Sequence, residues 1–150
     1  MGVHRAEQRI EVAGPPDACF AAGVDYESFP RWQRAVNRAE VISRNEEGLG
    51  EIVAFEIDAK VRRLAYTLRY GYEAPGRVWW ELVEGDVADI EGEYRFEPKG
   101  DGTLVTYALG IDPGVPLPGL IAGRLNRQVM KQSVEDLRDE VERRAAQPPS

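Results

Sequence analysis

Apolar and polar residues alternate along most of this chain, from residue 3 to residue 12 and again from 36 to 112. An alternation of period two is typical of strands that bury one face and leave the other in water. Turn signals such as NEEGLG, EAPGR and PKGDGT separate the alternating segments, which favours hairpins and antiparallel pairing. The pattern predicts seven strands, at about Val3–Val12, Val36–Arg44, Glu51–Ala59, Val61–Tyr72, Val78–Glu84, Val87–Phe96 and Leu104–Ile111.

Two short helical segments are expected between the first two strands. The proline pair at 15–16 is a helix-opening signal, and Gly23 ends the first segment. A second helical turn is expected around Tyr26–Phe29, with Asp25 as its N-cap and Pro30 as its limit.

The apolar pattern changes to a helical period in the last part of the chain, from Leu120 to Ala146. One stripe carries Ile121, Leu125, Met130, Val134, Leu137 and Val141, and the opposite face carries Arg127, Lys131, Glu135, Asp139 and Glu142. On that charged face, Glu135 and Asp139 are spaced to meet Arg138 or Arg143. A curved antiparallel sheet wrapped around this helix would cover the apolar faces of both, so we predict one α+β domain over residues 1–150, ordered from about 3 to 146.

The apolar face of the middle strands is unusually rich in tyrosine. Tyrosine hydroxyls and tryptophan N–H groups need polar partners when buried, whereas leucine and valine fill a dry core without them. A cavity that holds a mostly apolar ligand, oriented by a few hydroxyls, would explain this composition. The alternative is a filled interior whose hydroxyls reach the backbone or the sheet edge. The candidate ligand-binding residues are Tyr66, Leu68, Tyr70, Trp80, Tyr94 and Tyr107 from the sheet, with Asn126, Met130 and Val134 from the helix.

Three motifs carry a family resemblance: VDYESFPRW at 24–32, YRFEPKGDGTLVTY at 94–107 and DPGVPLPG at 112–119. Together with the order of elements they resemble the polyketide cyclase/dehydrase and coenzyme-Q-binding branch of the START-like (SRPBCC, Bet v 1-like) superfamily. The resemblance implies a helix-grip fold around a hydrophobic pocket, with some members that carry lipids or quinones and others that steer the cyclisation of aromatic polyketides. In such a fold the segment from Pro30 to Trp32 would close one end of the concave side, so Trp32 is interpreted first as a wall and second as a ligand contact.

Charge and cysteine content narrow the classes of partner. The formal net charge is −7 and the basic residues are spread along the chain, which disfavours nucleic-acid binding. Cys19 has no second cysteine to pair with, which fits a reducing cytosol. No apolar run approaches the length of a membrane span, and we predict a cytoplasmic protein with no stable membrane insertion.

The sequence lacks the residues that most enzyme mechanisms require. His4 is the only histidine and lies near the N-terminus, so a nucleophile has no credible histidine base. Asp89, Glu91 and Glu93 alternate along a wet strand face, where they are expected to be ion-pair partners rather than a metal site. We therefore expect no catalytic residue of these kinds, no metal and no cofactor.

Three functions remain open. The first is a carrier or chaperone that binds a lipid, quinone or polyketide-like molecule. The second is an aromatase/cyclase that uses neither a metal nor a nucleophile, and the third is a protein-interaction domain. The uncharged segment Pro113–Gly123 precedes the long helix and is either the lip of a ligand opening or a hydrophobic staple. The oligomeric state and the identity of the ligand are not predicted.

Overall fold

The computed structural model describes residues 3–58, 63–114 and 119–146, without the side chains of 119–125. Its elements are β1 (His4–Val12), α1 (Pro16–Gly23), a 3₁₀ turn (Tyr26–Ser28), α2 (Phe29–Trp32), β2 (Val36–Arg44), β3 (Gly50–Asp58), β4 (Arg63–Glu73), β5 (Arg77–Gly85), β6 (Asp89–Lys99), β7 (Gly102–Asp112) and α3 (Gly119–Ala146). None of the helices in these ranges is long and apolar enough to cross a membrane.

The strands form one sheet of seven in the order β1-β7-β6-β5-β4-β3-β2, and neighbouring strands run antiparallel. Hairpins connect β2 through β7, while β1 crosses over to pair with β7 from His4 opposite Ile111 to Val12 opposite Thr103. The helix α3 packs most extensively against β1. This arrangement confirms the predicted helix-grip fold, in which the sheet surrounds a long C-terminal helix.

Strand positions agree with the sequence pattern, and β2 has the predicted limits of Val36 and Arg44. β1 ends at Val12 as predicted, and the other described ends differ from the prediction by one to three residues, as strand boundaries commonly do. The predicted ends at 59 and 61 lie outside the described residues.

The segment after α1 differs from the prediction in two ways. Pro30 does not end a helical turn, because it lies in the first turn of α2, where its missing N–H costs no hydrogen bond. Asp25 makes no side-chain cap, since its carboxylate accepts a hydrogen bond from Arg144 of α3 at 3.0 Å. The segment is therefore tied to the C-terminal helix rather than capped by itself.

The stripe of α3 is buried as predicted: Met130, Val134, Leu137 and Val141 are all at most 2% exposed. The side chains of Ile121 and Leu125 lie outside the described part. The polar face departs from the prediction because Arg143 pairs with Glu140 rather than with Asp139. Asp139 instead meets the adjacent Arg138 at 3.0 Å.

The convex face of the sheet carries ion pairs. Glu93 meets Arg77 at 2.6 Å and Arg95 at 3.1 Å, and Glu91 pairs with Arg5. The prediction that the acids of this strand face are ion-pair partners is confirmed for Glu91 and Glu93.

A candidate ligand cavity

A cavity of about 250 Å³ lies between the concave face of the sheet and α3. Its walls come from alternate positions of the strands, which is why residues two apart along β3, β4, β5 and β7 recur in the lining. The described lining is apolar at Phe29, Ala35, Val36, Phe55, Ile57, Leu64, Leu68, Val78, Trp80, Val87, Ile90, Leu109, Ile111, Pro113 and Val129, and polar at His4, Tyr26, Gln33, Tyr66, Tyr70, Tyr94, Tyr107, Asn126 and Ser133.

Most of the residues predicted to bind a ligand border this cavity. The structure brings together Tyr66, Leu68, Tyr70, Trp80, Tyr94, Tyr107 and Asn126. It does not place Met130 and Val134 there, and this part of the prediction is corrected. Both side chains are almost fully buried in the helix–sheet packing, while Val129 and Ser133, each one residue earlier on α3, face the cavity.

Aromatic rings form the central wall. Tyr94 and Tyr107 stack with ring centroids 4.6 Å apart and planes inclined by 24°. Trp80 lies beside both, at 5.6 Å from Tyr94 and 5.8 Å from Tyr107, and it also packs on Tyr70 at 5.8 Å. Such mutual packing fixes the ring positions before any ligand enters.

The tyrosine hydroxyls fall into two groups. The hydroxyls of Tyr26 and Tyr72 are 2.7 Å apart, and Tyr72 donates to the carbonyl oxygen of Gly50, so this pair is satisfied by the protein. In the described part of the chain, no hydrogen bond joins the other hydroxyls to a protein group or to one another. These hydroxyls belong to Tyr66, Tyr70, Tyr94 and Tyr107, and we name them the hydroxyl cluster.

Burial keeps the cluster uncharged. Removal from water raises the pKa of each of the four phenols above its ordinary value, and it is the largest cause for every one of them. Neighbouring phenols raise the pKa of Tyr70 and Tyr107 further, and the carboxylate of Asp136 raises that of Tyr94. A phenol with its ordinary pKa of about 10 is already neutral at pH 7, and the upward shifts keep the four hydroxyls neutral hydrogen-bond donors to higher pH.

Two polar contacts join the sheet side of the cavity to α3. The amide nitrogen of Asn126 donates to the carbonyl oxygen of His4 at 3.3 Å, and that of Gln33 donates to the carbonyl oxygen of Ser133 at 3.2 Å. Sequence reasoning missed His4 and Gln33 as lining residues. The period-two pattern of β1 could have found His4, which shares the inward face of Ile10 and Val12.

Trp32 stands behind the cavity wall. Its indole N–H donates to the hydroxyl oxygen of Ser28 at 2.8 Å, and its ring packs edge-on against Phe29 at 5.1 Å. Phe29 lines the cavity and Trp32 does not. This geometry supports the interpretation of Trp32 as a wall of the fold.

The segment 25–34, which carries Phe29 and Trp32, is held to α3 at both ends. At its start, Arg144 donates to Asp25 at 3.0 Å and approaches the hydroxyl of Ser28 at 3.4 Å. At its end, the backbone N–H and the Nε of Arg34 both donate to the buried carboxylate of Asp136 at 2.9 Å. These contacts position Phe29 over the cavity.

The predicted lip at Pro113–Gly123 falls mostly outside the residues whose side chains are described. Within it, Pro113 lines the cavity. Whether the remainder forms an opening or a staple stays a prediction.

A seven-stranded sheet that grips a long helix around an internal cavity defines the START-like class of proteins. The chain belongs to the family described as polyketide cyclase/dehydrase and lipid transport, whose model matches residues 3–142. Among curated protein sequences, none matches this chain.

Solved structures share the fold at low sequence identity. A START superfamily protein from Mycobacterium smegmatis matches with a TM-score of 0.87 at 20% identity, over 93% of this chain and 98% of that one. The Zhui aromatase/cyclase from Streptomyces sp. R1128 matches with a TM-score of 0.78 at 17% identity, over 95% and 96%. A STAR-related lipid transfer protein from Xanthomonas axonopodis matches with a TM-score of 0.70 at 16% identity, over 92% and 85%. At these identities the likeness concerns the fold alone.

Proposed function

We propose that this protein binds a compact, hydrophobic small molecule in the cavity and acts as its carrier or chaperone. The observation that carries the proposal is the cavity of about 250 Å³ between sheet and helix, walled mostly by aliphatic and aromatic side chains. An apolar pocket with a few convergent polar groups is the usual form of a small-molecule site. The buried free cysteine, Cys19, fits a reducing compartment, and we propose the cytoplasm as the place of action.

The size of the cavity favours small ligands within this class. Pockets for drug-sized molecules span about 300–1,000 Å³, and this cavity, at about 250 Å³, lies just below that range. A fused-ring molecule or the ring of a quinone fits such a space better than a phospholipid with two acyl chains.

A second candidate is the aromatase/cyclase activity that the family description includes. The specific observation in its favour is that His4, the only histidine of the chain, lines the cavity. An imidazole beside a bound polyketone could remove a proton from carbon while the neutral phenols donate to the carbonyl oxygen. His4→Ala separates the two functions, because a carrier loses only one of many lining contacts and still binds its ligand, with a small change in affinity, whereas a cyclase that relies on His4 binds its substrate and loses turnover.

Native mass spectrometry of freshly purified protein, followed by titration with N-phenyl-1-naphthylamine, tests the binding proposal. We expect a co-purified small molecule or a micromolar dissociation constant for the probe, together with a rise in melting temperature. Val129→Phe narrows the cavity from α3 and should weaken binding. Ile42→Phe is the matched control, because Ile42 is 58% exposed on β2. If no apolar ligand binds or raises the melting temperature, the cavity is not a binding site.

A further inference from the structure

A polar stripe continues the face of α3 that lines the cavity. Ser133 borders the cavity. Three polar residues follow it at steps of three and four positions, and therefore on the same side of the helix: Asp136, Glu140 and Arg144. The two acids are buried, at 6% and 5% exposed. The stripe leads from the cavity to the place where the segment 25–34 lies against α3.

Side chains close the seam between this stripe and the segment 25–34. Arg144 donates to Asp25 at 3.0 Å, and the Nε of Arg34 donates to Asp136 at 2.9 Å. In the described part of the chain, no backbone-to-backbone hydrogen bond joins the segment to α3, whereas the strands of the cavity wall are joined by backbone ladders. The seam is thus a boundary of the cavity that can open without breaking secondary structure.

Charged pairs are not the most stable way to close a buried seam. Apolar side chains of similar volume often hold such a contact as well or better, because a buried charge loses its water of hydration. When a charged pair separates, however, both groups regain water. Water already reaches one partner of each pair here, since the side chains of Arg34 and Arg144 are 63% and 30% exposed. Partly solvated pairs contribute little net free energy, so this seam can open locally at low cost.

The segment 25–34 is tied together internally. The indole N–H of Trp32 donates to the hydroxyl oxygen of Ser28, which in turn donates to the carbonyl oxygen of Asp25 at 2.7 Å. The ring of Trp32 packs on Phe29, and Phe29 lines the cavity. Movement of this segment away from α3 would therefore carry Phe29 with it and uncover the cavity.

We propose that the seam between the segment 25–34 and α3 is the passage by which a ligand reaches the cavity. The pairs Arg144–Asp25 and Arg34–Asp136 form a latch that keeps the passage closed. This inference rests on the proposed binding function and adds to it how the site opens. It places the opening at a different part of α3 from the lip predicted at Pro113–Gly123, so the two routes are distinguishable.

Stopped-flow fluorescence with N-phenyl-1-naphthylamine and the full chain tests the inference. The double variant Asp25→Asn/Arg34→Gln removes one charge from each pair, and neither residue lines the cavity. We expect its association and dissociation rate constants to rise together, by about five- to tenfold, because a latch controls how often the passage opens. The dissociation constant should stay within about twofold of that of the parent, because the closed complex is unchanged.

Two single variants complete the series. Asp25→Asn alone should raise both rate constants about twofold, and it keeps the test available if the double variant does not fold, since the side chain of Asp25 is 44% exposed. Arg9→Gln is the matched control, because it breaks the pair of Arg9 with Glu7 on the convex face. Its rate constants should equal those of the parent.

Hydrogen–deuterium exchange of the same proteins shows whether the effect is local. We expect faster exchange over residues 25–34 of the double variant and unchanged exchange in the β6–β7 ladder. Latch variants with the rate constants of the parent would place the passage elsewhere and overturn the inference, while the binding function stands. A lower affinity at an unchanged association rate constant, or faster exchange across the whole sheet, would also contradict a local latch. If the probe does not bind the parent, the proposed function fails as well.

Discussion

Replacement of Trp32 by alanine distinguishes a wall of the fold from a surface on which the ligand stacks. Trp32 packs on the hydrophobic core and is only partly exposed. Truncation of a fully buried large aromatic side chain costs about 3–5 kcal/mol, and the partial exposure of Trp32 reduces the expected loss to about 2–4 kcal/mol. For a chain of this length, the melting temperature should fall by on the order of 10 °C.

The ligand affinity of the same variant should change little. Trp32 does not line the cavity, so the dissociation constant of N-phenyl-1-naphthylamine should shift by less than about threefold below the melting transition. Trp32→Phe is the graded control, because it keeps a ring against Phe29 and loses only the hydrogen bond to Ser28, for a cost of about 1 kcal/mol. A Trp32→Ala protein that melts like the parent and no longer binds the probe would refute this reasoning.

Three further variants test the packing and the electrostatics. Hydrogen bonds from Arg143 and Arg144 hold the pKa of Glu140 below its ordinary value. The ionised carboxylate therefore stabilises the fold fully when the pH is above the pKa of Glu140 in the unfolded chain. This stabilisation is lost as the pH falls through the lower pKa of Glu140 in the folded protein. Glu140→Gln should therefore lower the free energy of unfolding by about 1–2 kcal/mol at pH 7, a modest amount because both arginines are partly solvated. The loss should be smaller toward pH 3, where Glu140 of the parent is protonated. Chemical denaturation that shows the same loss at every pH argues against this linkage. Val134→Asp should lower the free energy of unfolding by several kcal/mol, because it places a carboxylate at a position that is only 2% exposed. The loss should be larger at pH 7 than near pH 4, and Val134→Thr is the uncharged control. An unchanged melting temperature would show that this face of α3 is not part of the core. Gly92→Ala should also destabilise the protein, because an added Cβ would lie 2.6 Å from the ring of Trp80 and 2.8 Å from the carbonyl oxygen of Ala108; a melting temperature equal to that of the parent contradicts this geometry.

The fold could be predicted well because its pattern is long and regular. Alternation along seven segments defines both the strands and their buried faces, and one helical stripe identifies α3. The segment around Pro30 was harder to predict, because proline both opens and ends helices and only tertiary contacts decide between the two. The contacts of this segment with α3, from Asp25 to Arg144 and from Arg34 to Asp136, are of that tertiary kind and join residues far apart in sequence.

The site could be predicted in part, for a related reason. Strand periodicity determines which way Tyr94 and Tyr107 point, and both line the cavity as expected. A helical stripe does not determine the rotation of the helix about its axis, so Met130 and Val134 were assigned to the cavity when Val129 and Ser133 face it. The tyrosine-rich face and the family resemblance indicated a cavity, but its size could not be predicted, because it depends on how completely side chains from all elements fill the interior.

The location of a bound ligand tests the central claim most directly. Intermolecular nuclear Overhauser effects between unlabelled N-phenyl-1-naphthylamine and the isotope-labelled full chain report which side chains lie against the ligand. The account predicts contacts from the probe to the ring protons of Trp80, Tyr94 and Tyr107, on the concave face. Contacts confined to outward residues such as Ile42 and Val83, or an interior that shows none at saturating ligand, would contradict it.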